Sequence, residues 1–216
     1  MPTSVRYKEL KNEIVRLRKD LLPKRFSGSG RYSDAEVTKT FAYRVLVHAE
    51  IEAYLEDRAW DIALAAVKAW KEKNEVSKTI LALVSFCGRV MEKPPDSKYP
   101  QQPSQLAQWD EKIKLSKKID LAVNDFHRVV EQNHGIKEEN IMSLLLPIGV
   151  DCDDLDGVLV GDLNSYGESR GVVAHKSGQV YRMRQQIDPR EELKKVRTLV
   201  GDLLSIDIAL NTLVGG

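Results

Sequence analysis

In the stretch SYGESRGVVAHKSG, residues 165–178, Arg170 and His175 stand five positions apart. A guanidinium offers a planar fork of donors that can grip the non-bridging oxygens of a phosphate, and an imidazole with an unperturbed pKa of about 6.5 trades protons near neutral pH. Together the two types could hold and turn over a phosphate ester. The spacing is a weak signal by itself: with fourteen arginines and four histidines, three allowed spacings give about 0.8 matches by chance. A second pair, Arg128 and His134 in RVVEQNH, fits the same pattern.

Context favours the later pair. Gly167 is expected to interrupt the preceding helix and Ser169 to act as an N-cap, so that Arg170 opens a new helix, RGVVAHKS. Free backbone N–H groups and the positive dipole end would then lie beside the guanidinium and make an anion site. Gly171 would let a ligand approach the backbone closely. The earlier pair is expected at a helix C-terminus, where the dipole repels anions. Five residues at about 100° each leave two positions roughly 140° apart around a straight helix. Two copies related by a two-fold axis could bring both pairs into one cleft, which suits a symmetric dimer.

A further pair, His48 and Glu52, lies four apart and so shares a helix face. The carboxylate could orient the imidazole or hold Arg170; equally, His48 is a half-buried core histidine and Glu52 a surface acid. Trp60, Trp70, Trp109, Tyr43 and Tyr54 read as packing rather than as base-stacking platforms, and His127 as a surface residue.

Other chemistries lack their parts. There is no glycine-rich loop with a P-loop lysine, no HExxH and no GxSxG. DCDDLDG suggests a calcium loop, but placing Gly157 at position six puts Cys152 at position one and Leu163 at position twelve, where a bidentate Glu is required. No metal and no cofactor is expected, and the acids read as caps of short helices.

Across 216 residues, 33 Lys and Arg balance 32 Asp and Glu, so no global field draws the chain to a polyanion and any such partner must be met locally. Locally the charge is uneven. Residues 1–31 hold nine bases against three acids, a net of +6, and 151–168 hold six acids and no base. Two cysteines, Cys87 and Cys152, give neither a disulfide framework nor a zinc spacing, which fits a reducing compartment. With no apolar run near the roughly 20 residues of a bilayer span, a cytoplasmic protein with no membrane partner is expected.

The elements that must position these residues read as helices throughout. Ser33 and Glu36 have capping-box spacing ahead of one long amphipathic run to about residue 73. VSKTILALVSFCGRVM reads as a shorter helix; EKPPDSKYPQQPSQ, with four prolines in fourteen residues, as a loop covering 93–105. LAQWDEKIKLSKKIDLAVNDFHRVVEQNHG is helical again, with His134 in the last turn and Gly135 as the C′ residue. Short helices follow around 138–146 and 153–164, separated by Pro147 and Gly149. Asp188 caps a final helix with Pro189 in its first position. The expectation is an all-α bundle: a basic N-terminal helical segment, 1–32, and an α-helical domain, 33–216.

The segments LVHAEIEAYLED and LLLPIGVDCDDLDGVLVGDLNSYGESRGVVAHKSG resemble the HEPN superfamily, in particular its RiboL-PSP-type branch. The similarity spans roughly 33–210 and is most specific at Arg170, Ala174 and His175, at Leu163 and Asn164, and at His48–Glu52. It implies a HEPN-like bundle that forms a homodimer, with the R-x4-6-H motifs of both subunits lining a cleft. It further implies a metal-independent endoribonuclease of a toxin–antitoxin or antiphage defence system, with RNA as substrate and an antitoxin or other defence protein as regulator. Arg170 and His175 would be catalytic, with Glu52, His48, Ser169, Gly171 and Asn164 in support. Members that cleave RNA often carry Asn, Asp or His directly after the arginine, where this chain has Gly171. The alternative is a non-catalytic HEPN-type module that binds RNA, a nucleotide or another protein.

Overall fold

The computed structural model describes residues 2–88, 97, 99, 102, 106–175 and 187–214; the side chains of 107, 108, 111, 112, 171–175 and 214 are outside that set. Among the described residues the chain is all-α, with eight α-helices and no strand: α1 Val5–Leu21, α2 Asp34–Lys73, α3 Lys78–Phe86, α4 Leu106–Ile113, α5 Leu115–Glu131, α6 Glu138–Leu145, α7 Gly157–His175 and α8 Pro189–Val214. The expected 93–105 loop lies outside the described residues apart from Ser97, Tyr99 and Gln102.

α2 is the axis on which the bundle is built. Its 40 residues span about 60 Å at 1.5 Å per residue. The expected capping box starts it: Ser33 Oγ accepts from the Glu36 N–H at 3.3 Å, and Glu36 Oε2 accepts from the Ser33 N–H at 2.8 Å. Asn74 ends it in the left-handed region at φ 53°. The apolar stripe between them, including Val47, Ile51, Tyr54, Leu55, Ala59 and Ile62, is fully buried and packs against α1, α8 and the α3–α7 layer.

The basic N-terminal helix packs into the same core. Ser4 caps α1 and ties it across the bundle, its N–H and Oγ donating to Asp207 Oδ2 and Oδ1 at 2.8 and 2.5 Å. Tyr54 Oη also donates to this buried carboxylate at 3.1 Å, and Tyr7 Oη donates to the Val200 carbonyl at 2.7 Å. Tyr7, Leu10, Ile14 and Leu17 are buried, while the lysines at 8, 11 and 19 face solvent.

Three expected boundaries are corrected. The 106–135 stretch is two helices, broken at Lys114, which is extended at φ −95° and ψ 120°. α5 ends at Glu131 with Gln132 as cap, so Gly135 is not its C′ residue and His134 is outside its last turn. The cause is Asn133, which is buried and donates from Nδ2 to Glu56 Oε1 at 2.7 Å and to the Gly135 carbonyl at 3.1 Å, while its Oδ1 accepts from Asn140. Satisfying this amide takes the chain out of the helix. The third boundary is that of α7, which runs from 157 to 175 without the break expected at Gly167.

Candidate functional site

α7 carries the Arg170–His175 pair, and its sequence explains how it is held more than why it is helical. Three internal glycines, at 161, 167 and 171, each cost about 1 kcal/mol relative to alanine in a helix. Packing offsets this: Leu159, Val160, Leu163 and Tyr166 are buried. Asp156 Oδ1 accepts from the Val158 N–H at 2.8 Å and caps the start, as expected of the acids there. Gly167 serves a close approach, since a Cβ there would meet Lys137 Cγ at 3.3 Å and Ile136 Cγ1 at 3.5 Å. The 136–137 backbone crosses α7 against that bare position.

The continuous helix overturns the expected anion site. Ser169 is not an N-cap; it lies inside the helix and its Oγ donates to the Ser165 carbonyl at 2.9 Å. The amides near Arg170 are therefore committed to intrahelical bonds, and the positive end of the helix, at Gly157, is about 20 Å away at 1.5 Å per residue. Any anion must be held by the guanidinium itself. Arg170 is half-buried and, among the described residues, stands in no ion pair. His175 is the last residue of α7, so the motif stays on one helix; its side chain, like that of Gly171 and its neighbours, lies outside the described residues. The competing pair has a plain role, with Arg128 Nη1 3.3 Å from Asp125 Oδ1 and His134 exposed.

The supporting residues are spread around this helix. Asn164 clamps α7 to the start of α6: its Oδ1 accepts from the Glu138 N–H at 3.3 Å and its Nδ2 donates to Glu168 Oε1 at 3.2 Å. His48 and Glu52 do share a face, with Nδ1 3.5 Å from Oε2. His48 is 1% exposed, more deeply buried than expected, and its Nδ1 is outside hydrogen-bonding geometry. Glu52 forms no ion pair with Arg170. One turn further along, burial pushes Glu56 above the usual carboxylate range, against the lowering effect of the Asn133 hydrogen bond.

Sequence reasoning missed a buried ion pair. Arg44 Nη2 and Nε lie 2.5 and 3.0 Å from the two carboxylate oxygens of Glu192, whose side chain is 3% exposed. The signal was present, because Arg44 falls on the apolar stripe of α2 between Phe41 and His48. Tyr166 Oη donates to the Arg44 carbonyl at 3.3 Å. Burial first, and then the Glu192 charge, push the Tyr43 and Tyr166 hydroxyls far above the ordinary phenol value, so both stay protonated. The pair forms the floor of a cavity of about 460 Å³ between α7 and α8, walled by Asp162, Ser165, Lys194, Lys195 and Thr198.

Four of the five aromatic residues pack as expected: Tyr43 and Tyr54 are inaccessible, and Trp60 and Trp70 lie against the core, whereas Trp109, half-buried on α4, is outside that core. His127 is more than a surface residue, since its ring lies over Trp60 with centroids 4.3 Å apart. Among the described residues no three His, Cys, Asp or Glu side chains converge as metal ligands, and no helix is long and apolar enough to cross a membrane.

Among the described residues, fold and site together define an all-α bundle with a half-buried arginine, without an ion-pair partner, on an inward-packed helix. Comparison of the chain with protein-family models, curated proteins and solved structures finds no match.

Proposed function

We propose that the protein is a metal-independent endoribonuclease of the HEPN type, acting as a homodimer in which Arg170 and His175 of both subunits line one cleft. The observation that carries this reading is Arg170. Among the described residues the buried arginines are neutralised, Arg44 by Glu192 and Arg58 by Asp207, whereas Arg170, like Arg18, is half-buried without a carboxylate. A guanidinium positioned without a counter-ion is suited to an anionic ligand.

RNA supplies its own nucleophile. The 2′-oxygen attacks phosphorus as one His175 takes its proton, the P–O5′ bond breaks, and the second His175 returns a proton to the leaving 5′-oxygen. Arg170 stabilises the charge that builds on the non-bridging oxygens. The products are a 2′,3′-cyclic phosphate and a 5′-hydroxyl. Such an activity fits a toxin or antiphage effector restrained by an antitoxin or other defence protein.

A second reading, a non-catalytic module that binds RNA, a nucleotide or a protein, is favoured by the position of Ser169 inside α7, which leaves Arg170 without backbone donors beside it. Incubating the folded dimer with varied RNAs in the presence of a chelator separates the two. Cleavage to cyclic-phosphate ends, lost in Arg170→Ala and His175→Ala with the dimer intact, supports the nuclease; uncleaved RNA supports the module.

A further inference from the structure

The positive charge of the N-terminal segment does not disperse once α1 has packed. Arg6 is taken by Asp57 and Arg16 by Glu13, but the bases that follow gather at one end of the bundle. The last turn of α1, the 22–32 connection and the first turns of α2 enclose a groove of about 470 Å³ whose apolar base, residues 21–23, is flanked by Asp20, Lys24, Arg25, Glu36 and Lys39. On α8 the Arg190 guanidinium lies 5.8 Å from the ring centre of Phe26, the residue that follows Arg25 in the connection. Arg18 and Arg197 both approach Tyr43 closely enough to bear on its ionisation.

Among the described residues none of these six cations, Arg18, Lys24, Arg25, Lys39, Arg190 and Arg197, stands in an ion pair, and all but Arg18 are exposed. The acids do not balance them. Glu36 is committed to the Ser33 capping box, which leaves Asp20 as the one disengaged carboxylate lining the groove. Beneath this surface the Arg18 Nε, the Tyr32 hydroxyl and the Tyr43 hydroxyl are buried without hydrogen-bond partners. Buried polar groups left open are uncommon in a folded chain; these three lie out of a ligand's reach, so an anion in the groove is met by the exposed lysines and arginines. On α8, Lys194 and Lys195 wall the neighbouring cavity, where they stand opposite Asp162, Asp188 and Glu191. In a chain overall close to neutral, an excess of unpaired basic side chains is therefore gathered at the groove and its border.

We propose that this groove is a docking track for the phosphodiester backbone of single-stranded RNA. The inference rests on the ribonuclease reading for its ligand, and names the surface that holds it. Contacts of this kind are to phosphate, so they carry little sequence preference and do not need the 2′-hydroxyl.

Binding of labelled single-stranded RNA, and of DNA of the same sequence, to the His175→Ala protein tests the assignment without cleavage. The triple variant Lys24→Gln/Arg25→Gln/Lys39→Gln is compared with a control, Lys8→Gln/Lys68→Gln/Lys73→Gln, that removes equal charge elsewhere. The groove variant is expected to bind both strands at least tenfold more weakly at low salt. Its slope of log affinity against log salt should fall by about 2, since each single-strand phosphate contact contributes about 0.7. Asp20→Asn tightens binding, and the control behaves as the parent. An unchanged slope in the groove variant, an equal loss in the control, or binding to phosphatidylserine vesicles with none to RNA overturns the proposal. Cleavage is read separately on the parent: RNA bound through the groove but left intact rejects the nuclease and keeps the track, whereas RNA cut equally well by the groove variant rejects the track alone.

Discussion

Arg44 and Glu192 close a two-pronged ion pair, 2.5 and 3.0 Å, between the first third of α2 and the first turn of α8, with the carboxylate almost wholly removed from solvent. The pair fixes where α8 begins and therefore one wall of the cavity beside α7. Removing one partner strands the other charge in the interior, so Glu192→Ala should cost about 3–5 kcal/mol. The double variant Arg44→Met/Glu192→Leu should recover most of that, because neither charge is then left buried. Urea unfolding of the two single variants and the double variant checks this; a double variant as unstable as the singles would mean that the pair sets the packing rather than its own electrostatics.

For Arg170 the ribonuclease proposal predicts a small effect on stability and a large one on cleavage. It has no ion-pair partner to lose among the described residues, so Arg170→Ala should change stability by only about 0.5 kcal/mol. Loss of a donor that stabilises charge in the transition state typically costs a factor of about 100–1,000, and that is the expected fall in RNA cleavage. Thermal unfolding and product analysis on one preparation give both numbers. A large loss of stability would recast Arg170 as part of the packing.

Much of the fold was legible in the sequence, and the reasons differ from element to element. The start of α2 was readable because its capping box is local: Ser33 and Glu36 satisfy each other within four residues. Asp188 and Pro189 were readable in the same way, Asp188 Oδ1 accepting from the Arg190 N–H at 2.7 Å. The end of α5 was not, since it is decided by Asn133 reaching Glu56, 77 positions away. The site misled for a related reason. Gly167 is a helix breaker by propensity, but the Ile136–Lys137 backbone crossing it stabilises the helix by packing that no local pattern reveals. Ser169 could cap or back-bond with equal chemistry, and the continuity of α7 selects the Ser165 carbonyl. The i, i+4 pairing of His48 with Glu52 was legible, and the near-complete burial of His48 was not.

The two glycines in the middle of α7 should respond in opposite senses. A Cβ at Gly161 meets nothing within 4 Å, so Gly161→Ala gains helix propensity and stabilises by about 0.5–1 kcal/mol. Gly167 faces Ile136 and Lys137, and Gly167→Leu must push α6 and α7 apart, at about 1–3 kcal/mol. Chemical denaturation of each variant tests the contrast. Cleavage should follow Gly167→Leu downward as well, because moving this crossing displaces Arg170 one turn away.

The capping box of α2 predicts a pH dependence whose sign follows from Glu36. Hydrogen bonds from the Ser33 N–H and hydroxyl hold its carboxyl below the usual glutamate value. The unfolded chain, with the ordinary value, therefore takes up the proton first as pH falls. The stabilisation is complete above that ordinary value and disappears as pH drops through the depressed one. Comparing melting temperatures of the parent and Glu36→Gln from neutral to acidic pH should show the parent more stable at neutrality and the two curves converging at the acid end. Glu56 acts in the opposite sense, since burial raises it and its folded form prefers the proton. Glu56→Gln should therefore gain on the parent as pH rises through the glutamate range, provided the amide oxygen still accepts from Asn133. Should Glu56→Gln instead lose stability uniformly with pH, the Asn133 link needs a full negative charge, and the turn that carries Ile136 onto Gly167 depends on it.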